Sequence, residues 1–328
     1  MLNPASFKTT DPLVDFSIRA GNEMTDYIAD EVFSPVIVSK ETFKVYQYDT
    51  SQFRVRDSRK SSKAASDSVD YGVFTRDATA VLHKLNSEWD PNDAAQFDSV
   101  VANLEQDCAA VIMDSLLLYK ETEAATLATT TGNYASTNTA TLAAGSTWIV
   151  NGGDPLANIA TARAAVRLSS GGKEPNAATM SWTTYDSLKS SPVFLDLMKY
   201  SGQYVAPSPE QFTGLLKSWL GVQYLHIGKA LKNTNVEGNA TQTLSDVWGD
   251  GIVFYVKNPS TSPKMMRYGC NYTWDTMYTR RWQDDARGGP KGCIQLLEMG
   301  MSYVLASGAV VASGNNDFAA GYYLANVI

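Results

Sequence analysis

The residues best suited to chemistry form one short stretch in the last third of the chain, where two acidic and three basic side chains lie close together in sequence. Asp284 and Asp285 stand beside Arg280, Arg281 and Arg287. A carboxylate pair can act as general acid and base when its surroundings separate the two pKa values. Neighbouring side chains on a strand or turn point apart, however, and nearby arginines lower a carboxyl pKa toward plain ionisation. The pattern therefore favours an ion-paired turn over a catalytic dyad.

Other reactive side chains are few and scattered. The two histidines, His83 and His226, have no cysteine or carboxylate pattern near them, so they do not predict a zinc site. Cys108, Cys270 and Cys293 are odd in number, far apart and without a CxxC pair, which is typical of small buried residues in a reducing compartment. We expect no catalytic residue, no metal site and no cofactor.

The segment Gly171-Gly172-Lys173-Glu174 resembles part of a phosphate-binding loop, but the match fails. Arg167 stands where the motif requires Gly, and Glu174 stands where Ser or Thr would bind magnesium. The four residues fit a helix stop instead. Because no GxGxxG follows a strand and no GxSxG elbow is present, the sequence predicts that the chain is not an enzyme.

Composition narrows the class of protein further. The 328 residues, 44% of them hydrophobic, are enough for one large or two ordinary cores. A balance of 27 Lys and Arg against 34 Asp and Glu disfavours tight binding to duplex DNA, although a wall facing packaged DNA is compatible with it. No secretory signal opens the chain, and its apolar run at 303–312 is too short for a membrane span. We expect a soluble protein made in a cytoplasm.

A basic cluster lies between two β-rich stretches, in a predicted hairpin tip that holds Arg54, Arg56, Arg59, Lys60 and Lys63. A long isolated hairpin is only marginally stable in water, so we expect it to have a partner. The tip fits a solvated charge run, a nucleic-acid patch or a contact between copies of the chain. The second interpretation lacks interleaved aromatic residues. For a contact between copies, the acidic face of the helix that follows could be the partner surface of the tip.

That helix is predicted to run from Pro91 to about Glu123. Asp90 is a good N-cap, and apolar residues recur at three- and four-residue steps from Phe97 to Tyr119. Its other face carries Asp98, Glu105, Asp107 and Asp114. At 1.5 Å per residue the helix would be about 50 Å long, which is typical of a structural beam. A Thr- and Ala-rich stretch at 126–147 is predicted to be a surface loop.

Helices and strands alternate from 154 to 256 and predict a compact α/β layer. The series "NAATMSWTTYDSL…SPVFLDLMKYSG…LLKSWLGVQYLHIGKALKNT…DVWGDGIVFYVKNPS" closely resembles the central domain of major capsid proteins of tailed bacteriophages, the family with the Hong Kong 97-type fold. The series "YGCNYTW…RRWQDDARGG…GYYLANV" is similar to the last third of these proteins. The resemblance extends from about Thr42 to the C-terminus.

The resemblance implies an α+β fold with an N-terminal arm, an extended β-hairpin loop, a long spine helix, and peripheral and axial domains. The expected boundaries are 1–41 for the arm, 42–88 for the extended loop, 89–153 for the first peripheral part with the spine helix 91–123 and the Thr-rich loop, 154–256 for the axial domain, 257–299 for the second peripheral part with paired strands, and 300–328 for C-terminal strands returning to the axial domain.

The implied function is that of a structural subunit whose pentamers and hexamers close an icosahedral shell around double-stranded DNA, in a virion made in a bacterial host's cytoplasm. Implied partners are further copies, a scaffolding protein, a portal and a decoration protein, with packaged DNA nearby and no membrane. Two alternatives are an encapsulin-like bacterial compartment and a virion decoration or binding protein. The subunit contacts we expect are Arg54, Arg56, Arg59, Lys60, Lys63, Asp98, Glu105, Arg280, Arg281, Asp284, Asp285 and Arg287.

Overall fold

The computed structural model describes residues 24–48, 54–69, 73–91, 104–150, 153–200, 208–235, 242–258, 266–275, 277–289, 292–307 and 318–328. The expected arm up to residue 23 and the expected helical stretch at 92–103, which includes Asp98, lie outside the described residues.

The described helices are α1 (Ala29–Val32), α2 (Leu104–Thr129), α3 (Pro155–Ser169), α4 (Trp182–Lys189), α5 (Pro192–Tyr200) and α6 (Pro209–Leu220). The described strands are β1 (Ser34–Val38), β2 (Thr42–Tyr48), β3 (Val73–Thr79), β4 (Val81–Trp89), β5 (Thr139–Thr141), β6 (Ala177–Ser181), β7 (Tyr224–Gly228), β8 (Leu231–Asn233), β9 (Leu244–Asp246), β10 (Ile252–Tyr255), β11 (Gly269–Trp274), β12 (Tyr278–Gly289), β13 (Gly292–Ser307) and β14 (Gly321–Ala325).

The first sheet is built around β13, the longest described strand at 16 residues. β4 pairs antiparallel with one edge of β13, while β12 and β11 pair antiparallel with successive parts of the other edge. β1 completes the sheet by pairing parallel to β11. Paired strands were expected within 257–299. β11 and the start of β12 lie there but do not pair with each other, because both pair with β13.

The hairpin of β2 and β3 is paired antiparallel from Thr42 opposite Thr79 to Tyr48 opposite Val73. Its returning strand, β3, ends at Thr79, whereas the extended loop was expected to continue to residue 88. Ala80 is buried, and β4 leaves the hairpin to pair with β13. The residues from Val81 onward therefore belong to the first sheet, since the free edge of β13 offers them a ladder that the hairpin does not.

The long helix α2 ends at Thr129 and not near Glu123 as the sequence predicted. Alanines hold its last turns in the core, since Ala124, Ala125 and Ala128 are buried. The threonine hydroxyls there donate back to carbonyl oxygens four residues earlier, as from Thr126 to Thr122 at 2.7 Å. The Thr-rich stretch, expected to be a loop from residue 126, therefore begins as helix.

The second sheet has the strand order β5-β14-β10-β6-β7. The helices predicted around it begin and end where their local signals lie. Asp154 caps α3 by accepting from Ala157 N–H at 3.0 Å, and Ser208 forms a capping box with Gln211 at the start of α6. Gly221 ends α6 with a φ of 65°, a conformation that favours glycine.

Segments outside 154–256 complete this sheet. β5 comes from before residue 154, and β14 comes from the C-terminus. Residues up to Ser307 remain in β13 and therefore in the first sheet. The segment 300–328 was expected to return to the axial domain. Within it, β14 lies in the second sheet.

Candidate assembly surface

The tip of the β2–β3 hairpin (residues 54–69, the basic tip) is exposed along its whole length. It holds five cations and two carboxylates. Two of the cations form ion pairs within the tip, Arg59 with Asp57 at 3.2 Å and Lys60 with Asp67 at 2.8 Å, and Arg56 donates to the Ser68 carbonyl oxygen at 3.4 Å. Hydrogen bonds from Arg59 lower the pKa of the Asp57 carboxyl. These local pairs leave the tip with a net positive charge.

The base of the same hairpin is anchored on the first sheet. The Phe43 ring lies 4.9 Å from the ring of Tyr272 on β11. Val45 is 5% exposed and belongs to a small apolar cluster with Cys270 and Tyr272. A buried base and a fully exposed tip make the hairpin a projection that is fixed at one end, and Val55 at the tip is 96% exposed.

The second charged cluster (Arg280, Arg281, Asp284, Asp285 and Arg287) lies on β12, next to the turn into β13. Arg287 donates to Asp284 at 2.6 Å and to Glu88 of β4 at 2.9 Å. The hydrogen bond from Arg287 is the main cause that lowers the pKa of Asp284. The geometry is the ion-paired turn that the sequence favoured, with both carboxylates on the surface.

The two other arginines of this cluster lie over aromatic rings. The Arg280 guanidinium is 5.8 Å from the Tyr278 ring centre, and that of Arg281 is 5.9 Å from the Trp89 ring centre. A register shift between Asp284 and Gly288 makes β12 bulge here, which turns the intervening side chains outward. No ion pair joins this cluster to the basic tip among the residues that the structure describes.

Two carboxylates on α2 accept hydrogen bonds within the subunit, and the contact predicted between the acidic face of α2 and the basic tip of another copy stays a prediction. The Asp114 carboxylate accepts a hydrogen bond from the Tyr27 hydroxyl, and Glu123 accepts one from Tyr303 at 3.0 Å. The side chain of Glu105, like all of Asp98, lies outside the described residues. Asp114 and Glu123 therefore contact their own subunit, Asp114 through the chain before β1 and Glu123 through β13.

One buried polar cluster has no motif in the sequence. Glu121, on α2, is fully buried and accepts hydrogen bonds from the backbone N–H groups of Ile28 and Ala29, at 3.0 and 2.8 Å. It also accepts from the indole N–H of Trp248 at 2.6 Å. Burial raises the pKa of this carboxyl, against the effect of the hydrogen bonds. The only signal in the sequence is an acidic residue at helical spacing from Ala125 and Ala128, on the face that becomes buried.

Comparison with known proteins identifies the fold. No family model matches the chain. It is 24% identical over 252 residues, 76% of either chain, to the major capsid protein of Burkholderia phage BcepMu. A phage-related protein from Bordetella bronchiseptica RB50 superposes with a TM-score of 0.67 at 20% identity, over 97% of both chains. The capsid structure of cyanophage P-SCSP1u superposes with a TM-score of 0.58 at 10% identity, over 93% of this chain and 91% of that one.

The chain has the Hong Kong 97-type phage capsid fold. The α+β class and the fold expected from the sequence are confirmed. In this capsid fold the two charged clusters lie on the surface, while Glu121 lies inside.

Both histidines pack against neighbouring side chains of the described structure. His226 is half-buried on β7. Its pKa is lowered to about 4 by burial and by Lys257, whose Nζ lies 3.3 Å from its Nε2. His83 stacks on Tyr303, with ring centres 4.5 Å apart. Within the described residues, no group of three or more His, Cys, Asp or Glu side chains could hold a metal ion. No helix in that part of the chain is long and apolar enough to cross a membrane.

Proposed function

We propose that this chain forms the icosahedral head shell of a tailed phage, through pentamers and hexamers of identical copies. Its role is mechanical and not catalytic. The observation that carries the proposal is the hairpin, whose base is buried on its own sheet and whose tip is wholly exposed. Such a projection gains nothing in an isolated subunit, where it exposes apolar side chains such as Val55 and Val69 to water.

Charge supports a second copy as the partner of the basic tip. The tip has five cations against two carboxylates, whereas the whole chain has 34 acidic residues against 27 basic ones. The rest of the chain is therefore more acidic than the chain as a whole. An acidic body attracts the cationic tip of its neighbour, which speeds encounter and fixes register. The same contact reduces the electrostatic repulsion between the acidic remainders of neighbouring copies.

The further partners follow from the proposed role. A scaffolding protein and a portal would direct assembly in the bacterial cytoplasm, a decoration protein would bind the finished shell, and double-stranded DNA would fill it. The excess of acidic residues in the chain suits a shell that encloses DNA without binding it tightly, since tight duplex binding needs clustered cations.

The test is the assembly state of the purified full chain. We expect rings, shells or sheets by size-exclusion chromatography and negative-stain imaging, and DNA-filled heads when the chain is produced with the other head proteins. A monomer that persists at high concentration contradicts the proposal. A closed particle that encloses a cargo enzyme and no DNA would assign the chain to bacterial compartments instead.

A further inference from the structure

The strand β4 forms an edge of the first sheet. It pairs with β13 on one side, and no strand pairs with its other side among the residues that the structure describes. Apolar side chains are exposed along it, with Val81 at 54%, Leu82 at 49% and Leu85 at 44%. A nine-residue edge of this kind readily accepts a further strand, because its outward N–H and C=O groups have no partner in the described sheet.

The two faces of β4 differ in chemistry. His83 stacks against Tyr119 of α2, with ring centres 5.3 Å apart. Because side chains alternate along a strand, His83 and Leu85 lie on the face toward α2, while Lys84 and Glu88 lie on the opposite face. A strand that joins this edge therefore needs apolar side chains on one face and charged side chains on the other.

The two charged residues of this edge have room for a second partner each. Lys84 forms an ion pair with Glu298 at 3.3 Å, and Glu88 forms one with Arg287 at 2.9 Å. The side chain of Lys84 is still 54% exposed and that of Glu88 is 42% exposed. An ammonium has three donors and a carboxylate has about four acceptor positions, so one ion pair does not saturate either group. The edge thus offers a cation and an anion four residues apart.

One stretch of the chain outside the described residues has the complementary pattern. In the run 14–19, which reads VDFSIR, apolar and polar residues alternate. The apolar residues are Val14, Phe16 and Ile18. A strand places all three on one face, whereas a helix would turn Phe16 away from the other two. The other face of such a strand carries Asp15 and Arg19, an anion and a cation that are also four residues apart.

Apolar side chains of α2 lie where the apolar face of this strand would pack. Val111 is 65% exposed and Tyr119 is 56% exposed, two turns apart on one side of the helix. Eight residues of helix cover about 12 Å, and the four residues from Val14 to Ile18 cover about 13 Å as a strand. The two apolar stripes therefore match in length, and pairing would remove both from water.

We propose that residues 14–19 pair in parallel with the outer edge of β4 in the same chain. This register sets opposite charges against each other at both ends and apolar residues between them: Asp15 with Lys84, Phe16 with Leu85, and Arg19 with Glu88. Opposite charges across a strand pair stabilise it, and like charges destabilise it. An antiparallel strand with the same ends aligned would place like charges together at both positions.

The direction of α2 relative to β4 fits a parallel strand. Glu123 accepts a hydrogen bond from Tyr303, whose partner on β4 is Val81, whereas Tyr119 lies on His83. Residues further along β4 therefore meet earlier residues of α2, so the two elements are antiparallel. A strand parallel to β4 then ends beside the earlier part of α2.

From that point the described chain returns along α2. Tyr27 donates to Asp114, and Asp30 pairs with Lys120 at 2.6 Å, so the chain runs toward the C-terminal end of the helix. The residues 20–23 between the proposed strand and the described chain include a Gly-Asn turn signal. The five peptide steps across them span up to about 17 Å, which exceeds the helix diameter of about 10–12 Å. The connection is long enough to pass around α2.

The experiment is a disulfide bond in the full-length chain. Cys293, the half-buried cysteine, is first replaced by serine, and the buried cysteines are kept. Phe16→Cys and Leu85→Cys are then introduced together, and the purified chain is oxidised with copper phenanthroline. Neighbouring strands lie about 4.8 Å apart, within the Cα separation of about 4.4–6.8 Å that a disulfide needs. We expect a monomer that migrates faster on a non-reducing denaturing gel. The matched control pairs Phe16→Cys with Lys84→Cys, the adjacent position on the opposite face of β4.

The outcomes decide between the edge of the same copy and other partners. At least tenfold more disulfide within one chain for the Leu85 pair than for the Lys84 pair supports the inference. Equal yields, or no disulfide in either variant, overturn it. Covalent dimers from a mixture of chains that carry one cysteine each would place the strand on the edge of another copy, and they also overturn it. No outcome requires the chain to form shells, so the proposed function is tested separately.

Hydrogen exchange tests the pairing without added cysteines. Consecutive residues of a strand point their N–H groups to opposite sides, so Ser17→Pro with Ile18→Pro removes a donor to β4 whichever residue supplies it. We expect amide exchange in the peptide 81–89 to become at least fivefold faster. The control, Ala5→Pro with Ser6→Pro, lies outside the run 14–19 and should leave that exchange unchanged. Unchanged exchange in the first variant, equal changes in both, or a rise that extends to β6 of the second sheet overturns the inference.

Discussion

Trp248 donates its indole N–H to the Glu121 carboxylate at 2.6 Å, and both side chains are buried. The same carboxylate accepts the N–H groups of Ile28 and Ala29. One buried charge thus ties the chain before β1 and the segment after β9 to the long helix α2. A buried carboxylate is costly unless its oxygens are satisfied, and here each oxygen has at least one donor.

Removing this carboxylate should destabilise the subunit strongly. Glu121→Ala leaves buried donors without an acceptor, and we expect a loss of about 3–5 kcal/mol in the free energy of unfolding. Urea titration followed by circular dichroism measures it. The matched control is Glu174→Ala, since Glu174 forms an exposed ion pair with Arg163 and its loss should change stability little. Equal effects of the two substitutions would contradict the role assigned to Glu121.

The indole of Trp248 leaves no room for a side chain at Gly228. A Cβ at Gly228 would lie 2.3 Å from the indole Cδ1, so Gly228→Ala forces the ring away from Glu121. We expect a loss of about 1–3 kcal/mol in the free energy of unfolding, as for other overpacked cores. Gly145→Ala is the control, because nothing lies within 4 Å of the Cβ that it would add. Chemical denaturation of both variants should separate them, and equal stability would show that the ring moves freely.

Acid should weaken the subunit through His226. Its folded-state pKa of about 4 lies below the unfolded value near 6.5, because burial and the Lys257 ammonium disfavour the imidazolium. The unfolded chain therefore binds the proton first, and stability is lost as pH falls from about 6.5 to 4. Glu31, which forms an ion pair with Lys257, has a lowered pKa and adds a loss of the same sign at lower pH.

The measurement is the melting temperature of the full chain between pH 7 and 4.5. The variant His226→Gln should lose less than the unsubstituted chain over this range, because it has no imidazole to protonate. His83→Gln, a change at the other histidine, is the control and should keep the pH dependence of the unsubstituted chain. Identical slopes for all three proteins would exclude His226 as the cause.

Charge on the basic tip should control assembly and leave folding intact. We expect the triple variant Arg54→Glu, Arg56→Glu and Arg59→Glu to lower particle yield at least tenfold, with an unchanged far-ultraviolet spectrum. The reason is that an acidic tip would face an acidic neighbour. A control with the same change in net charge reverses Arg167, Lys173 and Lys229, which are exposed elsewhere. If shells form at normal yield, the tip is only solvated surface.

The sequence could predict elements whose signals are local. Asp154-Pro155 and Ser208-Pro209 mark the starts of α3 and α6, and Gly221 marks the end of α6, because caps depend on residues within one turn. The basic tip was likewise visible as a local run of charge. Its placement on an exposed projection follows from pairing within one hairpin.

Elements that depend on distant partners could not be predicted in the same way. β4 pairs with a strand that begins more than 200 residues later, so nothing near Val81 shows which ladder it joins. The end of α2 was missed because threonine is a weak helix former, and burial of Ala124, Ala125 and Ala128 overrides that preference. Glu121 was missed because its donors come from two segments far away in the chain.

The hairpin, buried at its base and exposed at its tip, makes the two ends of every copy unlike. If the tip binds a neighbouring copy as proposed, two copies joined once still hold one unbound tip, and growth stops only when the last copy meets the first. The number of copies in such a ring would be set by the angle between neighbours and not by how tightly they bind.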